Sequence, residues 1–155
     1  LLKTLNKMKI TKIIQWDMGH RILNHRSVCK GLHGHRYKAE ITVEGDLVNS
    51  TSESEYGMVM DFADIKSIAK EEIHDKLDHG FMVWDKDEEL INFFNNSEGH
   101  KMVKVSFTST AENVAKYIFS SISEKLFDKY GTGLKLSSVK LWETPTSYAL
   151  YEGKL

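Results

Sequence analysis

His33-Gly34-His35-Arg36-Tyr37-Lys38-Ala39-Glu40-Ile41-Thr42-Val43-Glu44 is the stretch from which the rest of the chain is read. His33, His35, Tyr37, Ala39, Ile41 and Val43 share one parity, and Arg36, Lys38, Glu40, Thr42 and Glu44 share the other. Such alternation is the signature of a half-buried strand. Side chains two apart on a strand point to the same face. His33 and His35 can therefore reach one ion, about 2.0–2.1 Å from each ring nitrogen. Just upstream, Cys29-Lys30-Gly31-Leu32 carries the only cysteine of the chain.

A second strand is predicted before it. Ile10, Ile14, Trp16 and Met18 share parity with His20, so His20 closes a buried face and offers a third imidazole. Three histidines with an open fourth position form the usual layout of a catalytic zinc site. Structural zinc sites use four protein ligands, and a single Cys excludes a cysteine-rich one. The competing reading makes these histidines ordinary surface or core residues of two strands.

The 155 residues predict one domain over 1–155, large enough to bury a core unaided. With Met8 as an original start, residues 1–7 become an N-terminal extension. Hydrophobic content of 41% and charged content of 28% fit a soluble globular chain. A formal net charge of -1 gives no ground for non-specific binding to nucleic acid or an anionic membrane. No apolar run of about 18 residues predicts a membrane helix, and the first residues lack a secretory pattern. One cysteine permits no intrachain disulfide, which suits a reducing cytoplasm.

Further along, residues 49–57 read as a polar loop. Asp61 is a suitable N-cap for a helix with Phe62, Ile65, Ala69, Ile73 and Leu77 at helical spacing, ending at Gly80. Asp78-His79 then lies in its last turn. A short helix is predicted over 87–94, and a strand or extended connector over 101–107. Ser109-Thr110-Ala111-Glu112 reads as a capping box opening a long helix stopped by Gly131. Two strands, 134–143 and 147–152, close the chain around Pro145. The order predicts an α+β domain: a four-stranded antiparallel sheet with helices on one face, two main helices falling between strands two and three. Its two exposed edges invite oligomerisation by sheet continuation.

Four side chains outside the histidine triad could carry chemistry. A cation at His33 and His35 would favour the Cys29 thiolate, making it a candidate general base; the alternative is a small buried hydrophobe. His79 suits proton transfer near neutrality, or a favourable charge at a helix C-terminus. The latter does not account for Asp78. Glu143 continues the apolar face of Val139 and Leu141. It can accept hydrogen bonds from a nitrogen-rich ring at a cleft rim, or simply end a strand in solvent. Glu112 is accounted for by the capping box. His25, His74 and His100 have no partner that spacing justifies.

Taken together these motifs resemble the 6-pyruvoyltetrahydropterin and 6-carboxytetrahydropterin synthase family over about residues 8–154. The matching runs are Gly19-His20-Arg21, CKGLHGH (29–35), GMVMDFADIK (57–66), LDHG (77–80), STAENVAKYI (109–118) and WETPTSYA (142–149), all in family order. The resemblance implies a tunnelling fold (T-fold) whose subunits join into a barrel, usually as a homohexamer with active sites between subunits. It implies Zn2+ on His20, His33 and His35, Cys29 as proton acceptor, Asp78 and His79 as a relay, and Glu143 gripping the pterin ring. Thr110 falls where the family places pterin contacts.

Three residues between Cys29 and His33, and the ETPTS run, resemble the bacterial 6-carboxy branch of queuosine biosynthesis. That branch converts 7,8-dihydroneopterin triphosphate to 6-carboxy-5,6,7,8-tetrahydropterin, acetaldehyde and triphosphate, a lyase reaction. A 6-pyruvoyltetrahydropterin synthase is the alternative within the family, and a non-catalytic zinc-stabilised binding module the alternative outside it. Trp16-Asp17-Met18 departs from the Phe-x-Ala that often precedes the family's first zinc histidine.

Overall fold

In the computed structural model, which describes residues 7–153, two long strands form the spine: β1 (Lys7–His20) and β2 (His33–Asp46), each 14 residues. Residues 1–6 of the expected extension lie outside the described residues; Lys7 opens β1. The two strands pair antiparallel along their whole length, with Ile14 opposite Ala39, Trp16 opposite Tyr37 and His20 opposite His33. Burial follows the expected parity. Ile14, Trp16, Met18 and His20 of β1, and Tyr37, Ala39, Ile41 and Val43 of β2, are all buried. A register slip of one residue would turn every one of them to solvent.

β5 (Leu134–Thr144) and β6 (Ser147–Tyr151) extend the sheet antiparallel beyond β2, as the sequence predicts. On the other side the expectation of four antiparallel strands is corrected. β3 (Gly80–Trp84) and β4 (Met102–Val105) join β1 in parallel, giving a mixed six-stranded sheet in the order β4-β3-β1-β2-β5-β6. Both added strands are short, and a short apolar run carries no period that separates strand from loop. Their pairing comes from contacts distant in sequence.

The helices are α1 (Phe62–Ala69), which runs through a π-turn (Lys70–His74) into α2 (Asp75–Leu77), then α3 (Glu88–Asn95) and α4 (Ala111–Tyr130). Asp61 caps α1, accepting from Ala63 N at 2.7 Å. Gly131, at φ +60°, stops α4 in a conformation that favours glycine. α1 and α4 set Ile65, Ile68, Ala69, Val114, Ala115, Ile118, Ile122 and Leu126 against the buried strand faces. Phe62, expected on that apolar stripe, is exposed instead.

Two local expectations change. The first helical run ends at Leu77 rather than Gly80, because Asp78 turns extended (φ −63°, ψ 133°) and His79 takes φ +57°. At α4 the cap is Thr110, whose hydroxyl accepts from Asn113 N at 3.4 Å, and not Ser109. Glu112 is thereby shifted out of the capping-box position.

The π-turn places Glu72 under α4, where only 3% of it is exposed. Ser121 Oγ and Lys76 Nζ hydrogen-bond its carboxylate, and Lys125 Nζ lies 3.7 Å away. Burial alone pushes the Glu72 carboxyl up, but these donors and charges outweigh it and hold it below the usual carboxylate value of 4.5. A carboxyl depressed by folding contributes stability above its unfolded pKa and loses it as pH falls through the folded one. Glu72→Gln should therefore cost about 1.5–3 kcal/mol at pH 7 in denaturant melts. The deficit should shrink as pH falls below the ordinary carboxylate value and through the depressed folded one, where the wild-type carboxyl protonates too.

Candidate metal centre and adjoining cleft

His20 is the last residue of β1 and His33 the first of β2, and the two stand directly opposite each other in the ladder. His35 is one inward position further along β2 and faces Met18. The three rings sit with centroids 4.6 Å (His20–His33), 5.1 Å (His20–His35) and 5.1 Å (His33–His35) apart. One nitrogen from each lies within 4.8 Å of the others. The expected convergence of the three imidazoles is met.

Two of the rings are oriented by backbone carbonyls. His20 Nδ1 lies 2.8 Å from Ser109 O, and His33 Nδ1 lies 2.8 Å from Gly31 O. A carbonyl only accepts, so Nδ1–H donates in both rings and Nε2 keeps its lone pair. Metal-binding histidines are commonly fixed in this way. Ser109 is itself held: it is almost wholly buried, and its Oγ donates to Arg21 O at 3.3 Å. Arg21 grips the buried Asp87 with Nε and Nη2 at 2.7 and 2.6 Å, and Asp87 also accepts from Leu90 N at the start of α3. The end of β1 is thus bolted to the starts of α3 and α4.

Under the triad lies Tyr37, wholly buried and stacked on Trp16 at 5.4 Å. Its ring meets His20 and His35 edge-on, and its hydroxyl is 3.4 Å from both nitrogens of His20. Burial, with a smaller contribution from the Glu143 charge, raises the phenol above its ordinary value, so it stays protonated. The His20 imidazole is lowered to about 4, chiefly by burial and further by His33 and His35; the Ser109 hydrogen bond opposes this. His35 is also lowered, mainly by burial. Neutral imidazoles at physiological pH are the form that binds a metal.

His20 and His33 open onto a cleft of about 290 Å³. Its walls include Cys29, Thr110, Glu112, Glu143 and Tyr148 along with His20 and His33. Cys29 is partly buried in a 3₁₀ turn (Val28–Lys30), and its carbonyl accepts from Ile22 N at 2.8 Å. Glu143 Oε1 stands 3.6 Å from His20 Nε2 and 3.8 Å from His35 Nε2.

Asp78 and His79 are placed elsewhere. His79 lines a separate hollow with Asp17, His35 and Arg36, and its side chain is 80% exposed. Because the helix has ended, the two neighbours do meet: His79 Nδ1 is 3.0 Å from Asp78 Oδ2. Asp78 Oδ1 accepts from Asp17 N at 3.0 Å, and His79 N donates to Asp17 O at 2.8 Å. Burial pushes the Asp78 carboxyl up, but the Asp17 amide and His79 outweigh it and keep it below the usual range. Within one chain this pair does not line the Cys29 cleft.

Several contributors escape a reading of the sequence. The Ser109 and Gly31 carbonyls leave no residue-type signal. Tyr37 reads as part of an apolar face, although a phenol beneath a histidine pair is a signal in itself. Glu112 and His25 line the cleft, the one once the cap moves to Thr110, the other because its loop folds back.

The chain is similar to known proteins over nearly its whole length. The family model described as 6-pyruvoyl tetrahydropterin synthase matches residues 9–154. A 6-carboxy-5,6,7,8-tetrahydropterin synthase of Haemophilus influenzae is 38% identical over 151 residues, covering 93% of this chain and 98% of that protein. The same enzyme of Rickettsia felis is 38% identical over 141 residues, covering 91% and 97%. The solved 6-pyruvoyl tetrahydropterin synthase of Caenorhabditis elegans superposes with a TM-score of 0.66 at 23% identity, covering 97% of this chain and 98% of that one, a likeness of fold.

His33 is partly exposed, so its truncation leaves little cavity. His33→Ala should lose metal affinity by more than the roughly 10–100-fold that loss of a supporting group costs. Metal content after dialysis, set beside an unchanged melting temperature of the metal-free protein, is the check.

Proposed function

The chain belongs to the 6-pyruvoyl tetrahydropterin synthase family, and within it we propose that it acts as a zinc-dependent 6-carboxy-5,6,7,8-tetrahydropterin synthase. Its substrates are then 7,8-dihydroneopterin triphosphate and water, and the products are 6-carboxy-5,6,7,8-tetrahydropterin, acetaldehyde and triphosphate. The observation that carries this reading is the convergence of His20, His33 and His35, the first two at the wall of a cleft that Cys29 and Glu143 also line. The identity of the curated relatives, named for that product and matched over nearly their whole length, selects the carboxy branch.

The residues fit the metal by their donor chemistry: three imidazoles, two with Nδ1 committed to carbonyls, and no Lys or Arg among the residues lining the cleft. When bound, zinc supplies Lewis-acid stabilisation of negative charge developing on the substrate side chain.

Glu143 accepts hydrogen bonds from the N–H edge of the pterin ring, which sets the side chain of the substrate against the histidines. Thr110, at the start of α4, lines the same cleft and contacts the ring. Cys29, as thiolate, removes a proton from the substrate side chain. The Asp78–His79 pair returns one. Asp78 holds the imidazole by its 3.0 Å contact. Since His79 faces a different hollow within one chain, the pair serves the Cys29 cleft of a neighbouring subunit. This is a reason to assemble as an oligomer, for which a barrel-forming hexamer is the family arrangement.

Incubation with 7,8-dihydroneopterin triphosphate tests the reaction: acetaldehyde and a 6-carboxy product are expected, and a 6-pyruvoyl product without acetaldehyde would move the chain to the other branch. Cys29→Ala should keep stoichiometric zinc but lose turnover by about 10²–10⁴-fold, the range for a positioned general base. Wild-type rates in that variant would remove Cys29 from the mechanism.

A further inference from the structure

We infer that Lys101 is a positioning residue for the proton relay: its ammonium bridges the carbonyls of Asp75 and Asp78 and so holds the imidazole of His79 in the place from which it serves a neighbouring subunit. The use of that imidazole rests on the function proposed above; the clamp stands on geometry alone.

The bend after Leu77 is unfavourable by itself. Among the described residues His79 is the only non-glycine at positive φ, +57°. That conformation costs an L-residue free energy and persists where its surroundings impose it. A helix with such an ending commonly bonds the N–H of the left-handed residue back to a carbonyl of its last turn. With Asp78 as the C-cap, that carbonyl is Asp75 O. His79 N donates instead to Asp17 O on β1, at 2.8 Å. Lys101 Nζ takes the Asp75 carbonyl at 2.9 Å, and it also donates to Asp78 O at 3.1 Å. One cation thus replaces the missing helix-end bond and pins the peptide that joins Asp78 to His79. Its charge also suits the C-terminal end of a helix.

Lys101 is itself fixed. Its carbonyl accepts from Phe81 N at 2.9 Å, and the next residue, Met102, stands opposite Phe81 in the parallel ladder. A Cβ at Gly80 would meet Leu77 O and Val103 Cγ2 at 2.9 Å, so the bend packs directly on β4. The ammonium contacts these two carbonyls and no carboxylate among the described residues. The relay pair is therefore gripped from two sides. The Asp17 main chain fixes the Asp78 carboxylate and the His79 amide, and Lys101 fixes the carbonyl between them. His79 is 80% exposed, so little packing orients its ring. Its direction is set by its backbone and by the Asp78 contact, and Lys101 holds the backbone.

Lys101→Met in the full-length, zinc-loaded protein tests the clamp. It removes the ammonium and keeps most of the stem, and Lys101 is exposed, so the core is left intact. With 7,8-dihydroneopterin triphosphate, kcat should fall at least about 10-fold, toward the roughly 10²-fold that an ångström of misplacement costs. KM, zinc content and melting temperature should stay as in the wild type. Lys101→Arg, which can donate to both carbonyls, should restore most of the rate. In a His79→Ala background Lys101→Met should cost nothing further, because it acts through that ring. Without substrate, the Cε1–H signal of His79 in proton–carbon NMR should shift or split in Lys101→Met. A wild-type kcat in that variant, a loss that multiplies with that of His79→Ala, or an unmoved signal would overturn the inference. A moved signal, with a wild type that cannot turn over the pterin triphosphate, would keep the clamp and overturn the proposed function instead.

Discussion

The register between β1 and β2 is the constraint on which everything else in this molecule depends. Side chains alternate faces with a period of two, so a one-residue slip would send every inward group outward. In the observed register three cross-strand pairs follow one another along the inner face: Trp16 with Tyr37, Met18 with His35, and His20 with His33. The first pair is core, the last belongs to the candidate metal centre, and the middle pair joins them. The apolar half of the ladder, buried under α1 and α4, holds the polar half in place. The triad is the solvent-side end of the hydrophobic core rather than a feature added to a loop.

That placement decides the electrostatics. A histidine at the end of a core ladder is desolvated, which disfavours its charged form. His20 shows it most, lowered to about 4 by burial and by its two neighbours. Three imidazoles this close cannot all be protonated at low cost, so the arrangement favours the neutral, metal-ready state. The same desolvation keeps the Tyr37 phenol protonated beneath them. Burial costs the neutral His20 ring little here, because His20 Nδ1–H donates a hydrogen bond to Ser109 O.

The connections to the helices explain why the centre stays in shape. The Arg21–Asp87 pair and the Ser109 hydrogen bonds fix one residue pair, His20–Arg21, to two helix starts. On the opposite wall, the bulge at Glu143 turns a carboxylate inward from a strand end. The cleft is therefore assembled from the ends of β1, β2, β5 and α4. Such ends combine a rigid scaffold with side chains free to meet a ligand. The outlying position of Asp78 and His79 follows from the break at Leu77. The backbone leaves the helix there, and the Asp17 main chain holds both residues on the far side of β1.

Alternation in residues 10–20 and 33–43 sufficed to specify two strands, their inner faces and the three imidazoles, because a period of two is a local property of the chain. The helix start at Asp61 was legible for the same reason: a cap acts within three residues. Only the tertiary structure decided that β3 and β4 add a parallel edge, that Thr110 rather than Ser109 caps α4, and that Asp78 and His79 face away from Cys29. It alone revealed the carbonyl of Ser109 and the bulge at Glu143. Each of these depends on backbone groups, or on pairs far apart along the chain. A backbone carbonyl is the same in every residue, and a long-range contact exists only once the folded core has brought its two sides together.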